Sequence, residues 1–132
     1  MTSVSIDQDV LNGLSGQYKI TGVDGKTQAS TLIFTVPAGK TFYPTGIIIS
    51  PSTVTTLVTP SVISVGSNGT DYNNIVATNA LTGLVSAAGM MRMNPDVNAV
   101  TVAAGNGVYV KVGTGASAAA YTLTIILLGI LI

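Results

Sequence analysis

Short runs rich in Val, Ile, Thr and Tyr recur along the chain about every ten residues, separated by Gly, Pro, Asn, Asp or Ser. That rhythm predicts an all-β chain, since β-branched and aromatic residues favour strands and the separators favour turns. Eight strands are expected, at residues 17–23, 31–36, 41–50, 61–65, 74–78, 99–103, 107–112 and 120–132. The glycine-bearing segments 24–26, 37–40, 66–69, 105–107 and 113–115 are read as hairpin connections, because glycine supplies the positive φ that tight turns demand. Residues 81–93 stand apart: Leu81, Leu84, Val85 and Ala88 fall at helical spacing, but Gly83 and Gly89 interrupt them, so a single helical turn or an irregular loop is expected there. Residues 1–15 are polar and aperiodic apart from Val10, Leu11 and Leu14, and are read as an N-terminal arm. The remainder, 16–132, is expected to be one antiparallel β-sandwich of jelly-roll or related Greek-key type.

Alternation within the strands says more. In residues 107–112, Val108, Val110 and Val112 share one face and Tyr109 and Lys111 the other, as in a sheet with one wet side. The last strand begins likewise, with Leu123 opposed to Thr122 and Thr124, but from Ile125 onward both faces are apolar. A single sandwich has one interior, so something must cover the second face. Covering Ile126, Leu128, Ile130 and Ile132 would contribute several kcal/mol per subunit at roughly 25 cal/mol per Å² of apolar surface. Another chain is the economical cover; the chain's own long loops or its N-terminal arm are the alternative, and the sequence leaves both open. One local repeat stands out: Thr35-Val-Pro-Ala-Gly-Lys-Thr-Phe-Tyr43 parallels Thr101-Val-Ala-Ala-Gly-Asn-Gly-Val-Tyr109, and is read as two similar hairpins.

Composition sharpens this picture. A chain of 132 residues suits one domain. Hydrophobic residues make up 47% and charged residues only 8%, with five cations balancing five anions. A neutral, charge-poor surface has nothing to attract a polyanion, so no nucleic-acid partner is expected. The apolar C-terminal run is shorter than the ~20 residues a spanning helix needs, so no membrane partner is expected either. The first ten residues lack a basic, then apolar, leader and contain Asp7 and Asp9, so a signal peptide is not expected.

Candidate chemistry is sparse. The chain has no His, Cys, Trp or Glu. Nucleophile–His triads, thiolate chemistry and zinc ligation therefore lack their groups, and Asp7, Asp9, Asp24, Asp71 and Asp96 show no pairing of the kind glycoside hydrolysis needs. No enzyme activity, cofactor or metal is expected; Asp7 with Asp9, or Asn68, Asp71, Asn73 and Asn94 with Asp96, offer oxygens of the kind calcium takes, but are read as turn formers. Met90-Met91-Arg92-Met93 groups three flexible thioethers around a guanidinium in a segment read as lying outside regular strands, and is a candidate interface because methionines suit adaptable contacts. The same residues also suit core filling. Ile126, Leu128, Ile130 and Ile132 complete the candidate interface.

The Thr35-Val-Pro-Ala-Gly-Lys-Thr-Phe-Tyr-Pro-Thr-Gly46 segment, the Ser64-Val-Gly-Ser-Asn-Gly-Thr-Asp-Tyr-Asn-Asn74 turn and the closing Tyr121-Thr-Leu-Thr-Ile strand with its late Gly129 together resemble small virion proteins of tailed bacteriophages, over residues 32–132. Within that group the resemblance is to capsid decoration, or cement, proteins. It implies a small jelly-roll protein made in the host cytoplasm, forming a homotrimer, and sitting on the outer capsid surface, where it binds the major capsid protein and braces the shell. The other reading is a β-sandwich receptor- or carbohydrate-binding module of a fibre or head spike, with Tyr43, Tyr72 and Tyr109 as its exposed aromatics. Lack of Trp weighs against it.

Overall fold

Nine strands and no helix make up residues 16–132, the part of the chain that the computed structural model describes. They are β1 (Gly16–Asp24), β2 (Ala29–Thr35), β3 (Thr41–Thr55), β4 (Val62–Gly66), β5 (Val76–Ala80), β6 (Met91–Met93), β7 (Val102–Ala103), β8 (Gly107–Thr114) and β9 (Ala120–Leu131). The expected N-terminal arm, residues 1–15, lies outside the described residues.

The strands form two antiparallel sheets. Sheet A runs β1-β9-β3-β6, with β7 also pairing β3, and sheet B runs β2-β8-β4-β5. The chain is thus a long ribbon folded back at the β4–β5 turn, with β3 meeting β6 and β7, β2 meeting β8 and β1 meeting β9, and then rolled so that β9 also pairs β3 and β8 pairs β4. This is the antiparallel sandwich of jelly-roll or related Greek-key kind that the strand spacing predicts.

Two expectations need correction. Of the five predicted hairpin connections, only the one after Gly66 joins neighbouring antiparallel strands, β4 and β5. The segments at 24–26, 37–40, 105–107 and 113–115 carry the chain from one sheet to the other. Each strand has one apolar face to bury, and successive strands meet that need by facing each other across the core instead of lying side by side. Second, Met91-Arg92-Met93 is not outside regular structure: it forms β6, bonded to Ile49, Ile48 and Ile47 of β3. Residues 81–90 before it form tight turns, with Leu84 N–H donating to the Leu81 carbonyl and Gly89 N–H to that of Ser86.

The Thr35 and Thr101 repeats are likewise crossovers, running in opposite directions between the sheets, and they pair reciprocally. Thr35 meets Gly107, while Thr41 meets Ala103. Val36 N–H donates to the Asn106 carbonyl at 3.0 Å and Gly105 N–H to the Val36 carbonyl at 2.8 Å. Val36 and Val102 are both buried, and Gly39 and Gly105 both turn at positive φ (75° and 84°), a conformation that side chains disfavour.

Between the sheets, Phe42, Ile47, Ile49, Leu123, Ile125 and Leu127 from sheet A pack with Ile63, Val65, Val108, Val110 and Val112 from sheet B, all buried. One side is closed where β1 approaches β2: the Tyr18 and Phe34 rings stack with centroids 3.8 Å apart, and Phe42 meets both edge-on. Leu81 and Leu84 plug one end, and buried Tyr121 donates its hydroxyl to the Leu84 carbonyl at 2.8 Å.

Candidate interaction surface

Strict alternation along β9 sends Tyr121, Leu123, Ile125, Leu127 and Leu131 into the core and turns Thr122, Thr124, Ile126, Leu128 and Ile130 outward. The outward set lies at the centre of sheet A, flanked by β1 and β3, so its neighbours follow from the register. Ile126 sits between Lys19 of β1 and Ile48 of β3, and Ile48 is in turn partnered by Arg92 of β6. The result is a row across four strands, Lys19–Ile126–Ile48–Arg92, with a cation at each end and isoleucines between. The next row is Gln17–Leu128–Gly46, and beyond it Ile130 pairs with Tyr43, which is 43% exposed. Gly46 is buried among these neighbours: a Cβ built on it would stand at ordinary contact distance, 3.6 Å from Leu128 Cδ1 and 3.8 Å from the Arg92 guanidinium.

Toward the other end the same face turns polar. Thr124 pairs with Ser50, and Thr122 lies between Asp24 and Thr53, with the Ser52 and Thr122 hydroxyls 2.7 Å apart. The outer face of sheet A is therefore half apolar, with a cationic rim, and half hydroxyl-bearing.

Sheet B is finished differently. The β4–β5 connection, residues 67–75, folds over its outer face: Tyr72 packs on Tyr109 with ring centroids 4.5 Å apart, Lys111 Nζ donates to the Thr70 carbonyl at 2.8 Å, and Ser64 Oγ reaches the Asp71 carbonyl. Asn side chains hold this loop in shape. Asn68 Oδ1 accepts from the Asn73 N–H and Asn74 Oδ1 from the Ser67 N–H, which keeps Thr70 and Tyr72 at positive φ. Among the described residues no loop closes sheet A in this way, and Ile48, Ile126, Leu128 and Ile130 stay partly open to solvent.

Of the residues singled out from the sequence, Arg92, Ile126, Leu128 and Ile130 come together on this face. Met93 and Met91 do not: Met93 is buried and Met91 packs against the core. Met90, 66% exposed, stands before β6, and Ile132, 60% exposed, stands just past β9. Sequence reasoning missed Lys19, Gly46 and Ile48, and read Tyr43, which is indeed 43% exposed, as an exposed aromatic only for the alternative binding-module reading. A signal for Ile48 was present, since Ile47-Ile48-Ile49 is apolar on both faces, as residues 125–128 are.

An open cleft of about 430 Å³ lies at the end of the sandwich between Leu57, Val58, Pro60, Thr82 and Val85, and it carries no charged group. Among the described residues no cluster of acidic side chains is arranged to hold a metal; Asp7 and Asp9 lie outside them. Asp96 accepts from the Ala77 N–H, and the Asp24 carboxyl accepts from the Lys26 N–H, which with the Thr27 hydroxyl holds it below the usual carboxylate range. Tyr72 and Tyr109 cover each other rather than offering open platforms.

No protein-family model and no curated protein matches the sequence. Among solved structures the chain is similar to one in the acid-stable capsid of Helicobacter pylori bacteriophage KHP30, at TM-score 0.60 and 14% identity over 90% of this chain and 93% of that one. A chain of the cyanophage Pam1 capsid asymmetric unit aligns less well, at TM-score 0.43 and 16% identity over 88% of this chain and 81% of that one. What this chain shares with the KHP30 capsid chain, over nearly the full length of both, is its fold.

Proposed function

We propose that the protein is a structural component of a bacteriophage virion, a capsid decoration or cement protein that binds the outer surface of the shell as a homo-oligomer, in the trimeric state its resemblance implies, and stabilises it without catalysis. The single observation that carries this reading is the apolar half of the outer face of sheet A. Partly open Ile48, Ile126, Leu128 and Ile130 lie contiguously on the outer face of sheet A, whereas the β4–β5 loop closes the outer face of sheet B. Contiguous apolar surface of this kind marks an interface, and its burial against another chain contributes several kcal/mol at roughly 25 cal/mol per Å². The fold shared with a phage capsid chain supports a virion role, as does the 8% charged content, which leaves little to keep assembled copies apart.

Cryo-electron microscopy of the virion that encodes the chain tests this. The expected result is sandwich-shaped density on the outside of the shell at fixed positions of the capsid lattice. Density confined to the tail, or particles that lack the protein, would overturn the proposal.

A further inference from the structure

The charges around the apolar half-face decide what kind of surface covers it. Lys19 and Arg92 stand at opposite ends of one cross-strand row, with Ile126 and Ile48 between them. Four strands at about 4.8 Å spacing separate the two cations by roughly 14 Å. The described carboxylates lie elsewhere: Asp24 at the hydroxyl-bearing end, Asp71 in the loop over sheet B, and Asp96 against β5.

We propose that this row docks a protein surface carrying carboxylates about 14 Å apart astride an apolar strip, and that it does not dock a second copy of itself. In a two-fold pairing each residue meets the partner's counterpart across the axis. An axis through the middle of the row would lay Lys19 against Arg92 at both ends. Like charges brought together in a drying interface oppose association, whereas opposite charges speed encounter and set the register. An anionic lipid surface has the same charge sign, but the isoleucines here lie flat in pleated rows beside a single aromatic, Tyr43, instead of projecting as membrane-inserting groups do. The inference deepens the virion reading, which supplies the place to look: the outer surface of the shell.

The test is co-sedimentation of the purified chain with empty shells of the same virus that lack it, compared with phosphatidylserine vesicles, from about 50 to about 500 mM NaCl, a span over which charges on a surface become screened. Lys19→Glu with Arg92→Glu reverses both exposed cations, and Lys40→Glu, in the crossover before β3 and outside the cationic row, is the control; thermal unfolding establishes that each variant is folded. The expected result is wild-type shell binding that weakens about tenfold or more with salt, an equal or larger loss for the double variant at low salt, and a change of less than about twofold for Lys40→Glu. Shell binding indifferent to the reversal overturns this inference alone. So does a wild-type dimer that Ile126→Asp dissolves, or reversal-sensitive binding to the vesicles in preference to the shells. Wild-type protein that ignores the shells at low salt defeats the virion reading and this inference together.

Discussion

Gly129 occupies a core-facing position of β9 where every alternate neighbour is large, because the Phe42 ring has taken the space. A Cβ at 129 would fall well inside contact distance of that ring. Gly129→Ala is expected to cost about 1–3 kcal/mol through overpacking and to lower the thermal unfolding midpoint by several degrees, while Phe42→Leu in the same chain recovers part of the loss. Additive effects in that pair would refute the coupling. Tyr121 is the second residue whose role depends on one contact. It is buried, and its hydroxyl bonds the Leu84 carbonyl, so Tyr121→Phe leaves that acceptor without its donor, at about 1–3 kcal/mol. Burial also raises the Tyr121 phenol above its usual 10.0. The unfolded chain therefore ionises first, and the stabilisation is full below pH 10 and lost as pH rises through the folded value. Denaturant melts of the wild type should show stability falling above about pH 10. Tyr121→Phe should fall less steeply, though not stay flat, because burial raises Tyr18 as well.

At the scale of the element, β9 is a strand whose two faces do different jobs despite similar composition. Leu127 is fully buried between the sheets, while its neighbour Ile126 lies in the outer row. Leu127→Ala should cost about 2–5 kcal/mol. Ile126→Ala, where neighbouring strands already cover only part of the side chain, should cost less than half as much. Equal losses in urea melts would mean that the isolated chain already closes the outer face. The β4–β5 connection is the opposite kind of element, a loop that finishes a sheet: Asn68 and Asn74 supply acceptors to its N–H groups so that Tyr72 settles on Tyr109.

Across the whole molecule, the first described strand pairs with the last, and the apolar half-face is built from β1, β3, β6 and β9, elements far apart in sequence. That face therefore exists only once the ribbon has closed. The trimer proposed above leaves the cationic row free for the shell only if its copies join head to tail through other surfaces. Static light scattering should accordingly give three times the monomer mass, unchanged by Lys19→Glu with Arg92→Glu. A monodisperse monomer would remove the trimer from the proposal.

The sequence alone determined that the chain is all-β, where eight of its nine strands lie, and which side chains of β9 share its second apolar face, because these follow from local alternation and from residues that tolerate turns. Met91-Arg92-Met93 escaped because three residues are too few to show a period. Pairing was not legible: a glycine turn reverses the chain equally well within a sheet or between two, so 24–26, 37–40, 105–107 and 113–115 look like hairpins until the core chooses. Only the tertiary structure decided that Lys19, Ile126, Ile48 and Arg92 form one row, since a row across strands is set by register, and register is set by burying the other face of every strand at once.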